Sequence, residues 1–240
     1  LLKIKKVILD TLFPVFCLSC DTEGFWLCNN CLAKIKLLDF QICPVCEKNI
    51  SEKGALCPTC RVSGKHSLDS LIISVSYENP AVKKLIHNLK YRFVSAIAIP
   101  LADLMVKALL KHDSAIPDYI VPVPLHSRRL RWRGFNQSLL LAERISENIA
   151  PLMKIEVLDI LERNKYRKPQ MTIKKYQDRM KNVENIFCLK NELPVLKNKN
   201  ILLVDDIATT GATIGECARM LKEKGAKNIF GVVIARQTIK

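Results

Sequence analysis

Two adjacent carboxylates at the end of an apolar run are the most reactive-looking feature of this chain. Ile201-Leu202-Leu203-Val204 reads as a buried strand ending in Asp205-Asp206, then Ile207-Ala208-Thr209-Thr210-Gly211-Ala212-Thr213 leads into helical spacing. Ligands of open α/β sheets bind where strands end. A threonine/glycine turn at a helix N-terminus offers N–H groups and hydroxyls to a phosphate dianion. Neighbouring carboxylates can accept hydrogen bonds from two vicinal ribose hydroxyls or hold a bridging Mg²⁺. Side by side they repel each other unless something cationic or hydroxylic sits there. Neither a GxxxxGK(S/T) loop nor GxGxxG spacing is present. A strand capped by an acidic turn explains one acid, but not two followed by a Thr-Thr-Gly-x-Thr run.

Eight of the ten cysteines share one spacing: Cys17-x2-Cys20, Cys28-x2-Cys31, Cys43-x2-Cys46 and Cys57-x2-Cys60. Each CxxC turn points two sulfurs at one centre, and two turns complete a tetrahedral thiolate site for structural zinc. The intervening gaps leave room for short ribbons, and the expected pairing is sequential, 17/20/28/31 then 43/46/57/60, with an interleaved one as the alternative. The segment has little apolar material for a core of its own, so zinc would supply its folding energy. Disulfides are disfavoured because LLKIKKVILD stops being apolar at Asp10, before a signal-peptide core forms. A cytoplasmic location follows as an expectation. Cys188 and Cys217 lie in apolar surroundings and read as small core residues.

Charge is the third signal. The net charge is +15 with a pI near 9.4, and residues 126–181 alone hold 14 Lys/Arg against six acids. Such a field attracts polyanions. Scattered lysines at 190–200 and 222–227 read as a solubilising face. Arg128, Arg129, Arg131 and Arg133 differ, because guanidinium forks match phosphate oxygens bidentately. His126 beside them reads equally as a pyrophosphate donor or as a loop histidine with a local bond. His66, His87 and His112 have no motif around them and read as structural or exposed. Trp132 and Phe135 sit between basic residues, which suits stacking of single-stranded bases, although an aromatic opening a helix is more often core.

The elements that must position these groups are legible in outline. Hydrophobic content of 49% and charged content of 25% exclude bulk disorder. The longest apolar stretches, such as AIAIPLA at 96–102, are too short to cross a bilayer, so no membrane insertion is expected. A short amphipathic helix is expected over 3–13. The polar break RVSGKHSLDS (61–70) sets a boundary between a 1–66 helix-and-cysteine module and a 67–240 domain. Strands are expected at 71–77, 119–124, 200–206 and 228–235, with helices at 79–90, 95–111, 135–149 and 213–224. Residues 158–164 and 183–189 pair as two further strands around a long basic excursion. Alternation of strand and helix from 71 onward gives a parallel sheet covered on both faces.

ILLVDDIATTGAT (201–213) resembles the signature by which type I phosphoribosyltransferases bind phosphoribosyl pyrophosphate (PRPP). A second set narrows the match. VPVPLHSRRLRWRGFNQSLLLAERI (121–145), LKYRF (89–93) and the spaced Arg163, Gln170, Arg179, Asn182 and Phe187 resemble the ComF family (ComF/GntX-like competence proteins). The CxxC-rich front is similar to the double zinc ribbon of many members, so the resemblance spans essentially the whole chain. Departures are small: Arg92-Phe93 stands where a glycine often follows Lys-Tyr, and Asn185-Ile186 replaces smaller residues before Phe187.

The resemblance implies a type I phosphoribosyltransferase-like α/β domain with a basic hood over 164–182, preceded by two structural zinc sites. Carried over, Asp205 and Asp206 hold the ribose hydroxyls and stabilise an oxocarbenium-like sugar as Mg-pyrophosphate departs. Ala208, Thr209, Thr210, Gly211, Ala212 and Thr213 form the phosphate loop. His126, Arg128, Arg129, Arg131, Arg133, Arg163 and Arg179 become contacts to pyrophosphate or nucleic acid. The hood would close over PRPP or track a phosphate backbone, against the plainer reading of a solvated loop. The implied role is PRPP binding together with handling of single-stranded DNA in natural transformation. The alternatives are an active transferase with an unidentified acceptor, and an adaptor whose zinc module docks a competence helicase-like protein.

Overall fold

The computed structural model describes residues 14–64, 66–150, 153–164, 186–190 and 194–237. The expected helix over 3–13, most of the excursion 164–182, and with it Gln170, Arg179 and Asn182, lie outside the described residues.

The cysteine-rich front holds two short helices, α1 (Asn29–Ala33) and α2 (Pro58–Val62), and an antiparallel ribbon of β1 (Gln41–Ile42) with β2 (Ile50–Ser51). Behind it, β3 (Ser70–Ser76), β4 (Tyr119–Pro122), β5 (Glu156–Val157), β8 (Asn200–Ala208) and β9 (Asn228–Arg236) form one sheet in the order β3-β9-β8-β4-β5. Every neighbouring pair in it is parallel. A separate antiparallel pair, β6 (Leu161–Arg163) with β7 (Phe187–Leu189), forms where 158–164 and 183–189 were expected to meet.

Alternation along the strands sends side chains into two cores. Ile72, Leu202, Val204 and Val232 pack with the helices α3 (Pro80–Tyr91), α4 (Ala98–Lys111) and α6 (Gln137–Ile149). Leu71, Ile73, Leu203 and Val233 pack with α7 (Ala212–Glu223). The sheet is therefore covered on both faces, as a parallel sheet requires. α3 starts where Asn79 Oδ1 accepts from Ala81 and Val82 N–H, with Pro80 in the first turn, and it buries Val82, Leu85, Ile86 and Leu89 at helical spacing. Each such leucine, fully buried, contributes about 2 kcal/mol of transfer free energy. Just past α3, Phe93 takes φ +59°, the left-handed region that favours glycine.

The front segment is not a core to itself. Cys17, Leu27, Cys28, Cys31 and Ile35 join the same cluster as α3 and α4. Its second half covers the outer edge of β3. Gln41 is buried and its amide both donates to Ile73 O (3.0 Å) and accepts from Ile73 N (2.9 Å), while Leu38 N donates to Ser74 O. An unpaired strand edge is thereby closed.

Candidate functional site

β4 and β8 are neighbours whose onward connections go to opposite sides. β4 leads outward to β5 and β8 leads to β9, with α6 and α7 packed in the two different cores. That reversal opens a crevice at the carboxyl ends of β4 and β8. A cleft of about 510 Å³ lies there, lined by Asp205, Asp206, Thr209 and Thr213 from the β8 side and Arg128, Arg129, Trp132 and Arg133 from the β4 side. Lys90, Tyr91, Gln137 and Arg163 complete its wall. Five cationic side chains thus face two carboxylates.

The β4 side is built by residues 123–137. A seven-residue helix, α5 (Ser127–Arg133), replaces the expected loop. His126 caps it: its Nδ1 accepts from Arg128 N at 3.1 Å, and His126 does not line the cleft. Burial, then the guanidinium of Arg163 and the arginines of α5, push its pKa down. Gly134, at φ +84°, ends α5 in the left-handed conformation. Asn136 then starts α6, accepting from Ser138 N and donating to Val123 O, which ties the helix to the end of β4. Arg133 is buried, with Nε donating to Lys90 O at 3.1 Å and Nη1 to Gln137 Oε1. Arg131 is exposed and lies outside the cleft wall. Phe135 packs against the core, whereas Trp132 is exposed on the cleft rim, edge-on to Phe93 at 4.9 Å.

On the β8 side the strand does not stop at Val204. It continues in register with β9 through Ile207↔Ala235 and Ala208↔Arg236, so both acids are strand residues. Asp205 is half-buried and its Oδ1 accepts from Ser138 Oγ (2.9 Å) and from Asp206 N (2.8 Å). Asp206 is buried, and its Oδ1 lies 2.9 Å from Lys90 Nζ, while its Oδ2 has no hydrogen-bond partner among the described residues. Burial, reinforced by the charge of Asp206, pushes the Asp205 carboxyl up to about 7. The chain thus supplies a cation and a hydroxyl of its own to the acid pair. Neither Lys90 nor Ser138 carried a signal in isolation, although Lys90 lies in LKYRF and Ser138 follows RGFNQ.

Ala208 is buried at the strand end, and Thr209, Thr210 and Gly211 turn into α7. Gly211 is the N-cap at φ +68°, Ala212 and Thr213 form the first turn, and Thr210 Oγ1 accepts from Ala212 N at 3.4 Å. Arg163, at the end of β6, reaches the cleft with its guanidinium 5.8 Å from the Phe187 ring centre.

The cysteines assemble as two quartets, Cys17/20/28/31 and Cys43/46/57/60, each with its sulfurs within 4.8 Å of one another. The sequential pairing is therefore the one the fold adopts. A Zn–S bond of about 2.3 Å implies tetrahedral edges of about 3.8 Å. Cys20–Cys28 at 3.6 Å and Cys46–Cys57 at 3.8 Å match that spacing, so both quartets fit zinc. Bonds from Thr22 draw the Cys20 thiol down to about 6, and the Asn49 side chain does the same for Cys57. Cys217 is a buried core residue, but Cys188 is only half-buried and accepts from Asn164 Nδ2. His112 is structural, bonded to Gln41 and Leu38 O.

Comparison with known proteins agrees with this architecture. The phosphoribosyl transferase domain matches residues 136–239. The DNA utilization protein YhgH of Salmonella typhimurium is 33% identical over 220 residues, covering 85% of this chain and 92% of that protein. Competence protein F of Haemophilus influenzae is 31% identical over 211 residues, covering 85% and 87%. Competence protein ComFC of Bacillus subtilis is 33% identical over 207 residues, covering 83% and 79%. Among the described residues no helix is long and apolar enough to cross a membrane. Identity above 30% over more than four fifths of the chain means that this chain belongs to the ComF family.

Proposed function

We propose that the cleft between β4 and β8 binds PRPP or a related phosphoribosyl ligand with Mg²⁺. The observation that carries this reading is a cleft whose five cations face a carboxylate pair, beside a turn that presents the amides of a helix N-terminus. In this reading the 208–213 turn receives the 5′-phosphate, and Asp205 with Asp206 Oδ2 accepts from the sugar hydroxyls. Arg128, Arg129 and Arg163 neutralise the pyrophosphate. Arg133 holds the wall in place through Lys90 O and Gln137. The orphaned Asp206 Oδ2 supports this reading, because a buried oxygen without a partner costs about 1–3 kcal/mol until a donor reaches it.

The protein would act on single-stranded DNA in transformation or DNA utilization, in keeping with the names of its relatives. The basic exposed face of α5 is the surface that suits a phosphate backbone. A second reading, transfer of ribose 5-phosphate to an acceptor, is favoured by the extension of the cleft past the acids to Tyr91 and Trp132. Calorimetric titration with PRPP, with and without Mg²⁺, tests the first reading. Asp206→Asn should weaken binding at least about tenfold, the loss of one charge-assisted hydrogen bond. Absence of binding by the wild-type protein would refute it. Pyrophosphate release upon addition of candidate acceptors separates the second reading from the first.

A further inference from the structure

The second cysteine quartet touches the phosphate loop through one residue that no motif singles out. Arg236 ends β9 directly opposite Ala208, and it is buried. Its Nη2 donates to Pro44 O at 3.3 Å and lies 3.5 Å from Glu47 Oε1. Pro44 stands between Cys43 and Cys46, and Glu47 follows Cys46. On the other side, a Cβ placed on Gly211 would lie 3.4 Å from Arg236 Nη2 and 3.7 Å from Pro44 O. The guanidinium is thus packed between the cysteine knuckle and the turn that opens α7.

The knuckle itself carries a second, independent sign. Glu47 N donates to Cys43 O at 3.0 Å, and Glu47 takes φ +57°. A left-handed position suits glycine and strains a residue that carries a Cβ. A glutamate held there, with its carboxylate towards a buried arginine, exchanges backbone comfort for a link across the two parts of the chain.

We infer that Arg236 is a positioning residue that couples the metal state of the Cys43/46/57/60 site to the shape of the 208–213 turn. Zinc fixes the knuckle, the knuckle fixes Pro44 O and Glu47, and these hold the guanidinium against Gly211. Among the described residues the Cys17/20/28/31 site packs instead on α3 and α4. The inference rests on the reading of 208–213 as a phosphate turn for its effect on ligand affinity, but the mechanical coupling stands apart from that reading.

The experiment uses the full zinc-loaded chain and two measurements: hydrogen exchange of residues 208–213 and calorimetric PRPP affinity. Arg236→Met and Cys60→Ser should each speed exchange in 208–213 at least tenfold and weaken PRPP at least tenfold. Arg236→Lys should recover part of both, and Cys20→Ser should leave 208–213 exchange unchanged. Glu47→Gln, a mild change on the same link, should give a smaller effect in the same direction and carries the test if Arg236→Met does not fold. Unchanged exchange in Glu47→Gln and Cys60→Ser, or equal effects of Cys20→Ser and Cys60→Ser, overturns the inference. If the wild-type protein does not bind PRPP, the ligand reading fails, and the exchange data still decide the coupling.

Discussion

Lys90 Nζ lies 2.9 Å from Asp206 Oδ1, joining the last turn of α3 to a buried acid in the middle of the sheet. The bond holds Lys90 of LKYRF on the cleft wall and sets its ammonium against a carboxylate that is almost wholly buried. Lys90 O, accepting from Arg133, ties the same residue to the other wall.

Removing the cation should therefore be expensive. Lys90→Met is expected to lower unfolding stability by about 3 kcal/mol, the cost of leaving one buried charge unpaired. Lys90→Met combined with Asp206→Asn should recover a large part of that loss, as read from chemical denaturation of the double-mutant cycle.

Asp205 makes stability depend on pH in an unusual direction. Its folded pKa of about 7 lies above an unfolded value of about 3.9. The folded state then holds a proton that the unfolded state has lost, so the contribution is fully present below about pH 4 and is lost as pH rises through about 7. Denaturation at pH 5 and pH 8 should show the wild type losing up to about 1.4 kcal/mol per pH unit inside that window. Asp205→Asn should flatten the profile.

Each cysteine quartet should carry its own metal. Elemental analysis of purified protein is expected to give two zinc ions per chain, falling to one in Cys28→Ser and in Cys43→Ser. Chelation should lower the melting temperature, since binding free energy to such sites is folding free energy. Two zincs retained in either variant would show that the quartets are not the sites.

The arginines of α5 should separate by position. Arg128→Ala and Arg129→Ala, on the cleft wall, should weaken PRPP, whereas Arg131→Ala, exposed outside it, should not. For single-stranded DNA all three are expected to matter, each lowering the slope of log affinity against log salt by about 0.7. Fluorescence anisotropy across salt concentrations checks both statements.

Local physics explains why much of this was readable. A strand at 71–77, a helix from Pro80 and the unit 200–235 were visible because period and caps are local properties, and Asn79-Pro80 states a helix start by itself. The quartets were visible because a CxxC turn brings its two sulfurs together wherever it lies. α5 was missed because seven residues, mostly arginine, carry no apolar period, and its cap is a histidine. Arg133 was read from its charge alone, whereas burial gives it a bracing place against Lys90 O and Gln137.

By itself the sequence determined the alternating α/β architecture, the thiolate quartets, the acid pair and the turn after it, since each depends on residues close together in the chain. Only the tertiary structure decided what those groups meet. Lys90 and Asp206 are 116 positions apart, Pro44 and Arg236 are 192, and no local period encodes a contact between strands that sheet order alone makes neighbours. The partner of a charge is set by packing, and packing belongs to the whole fold.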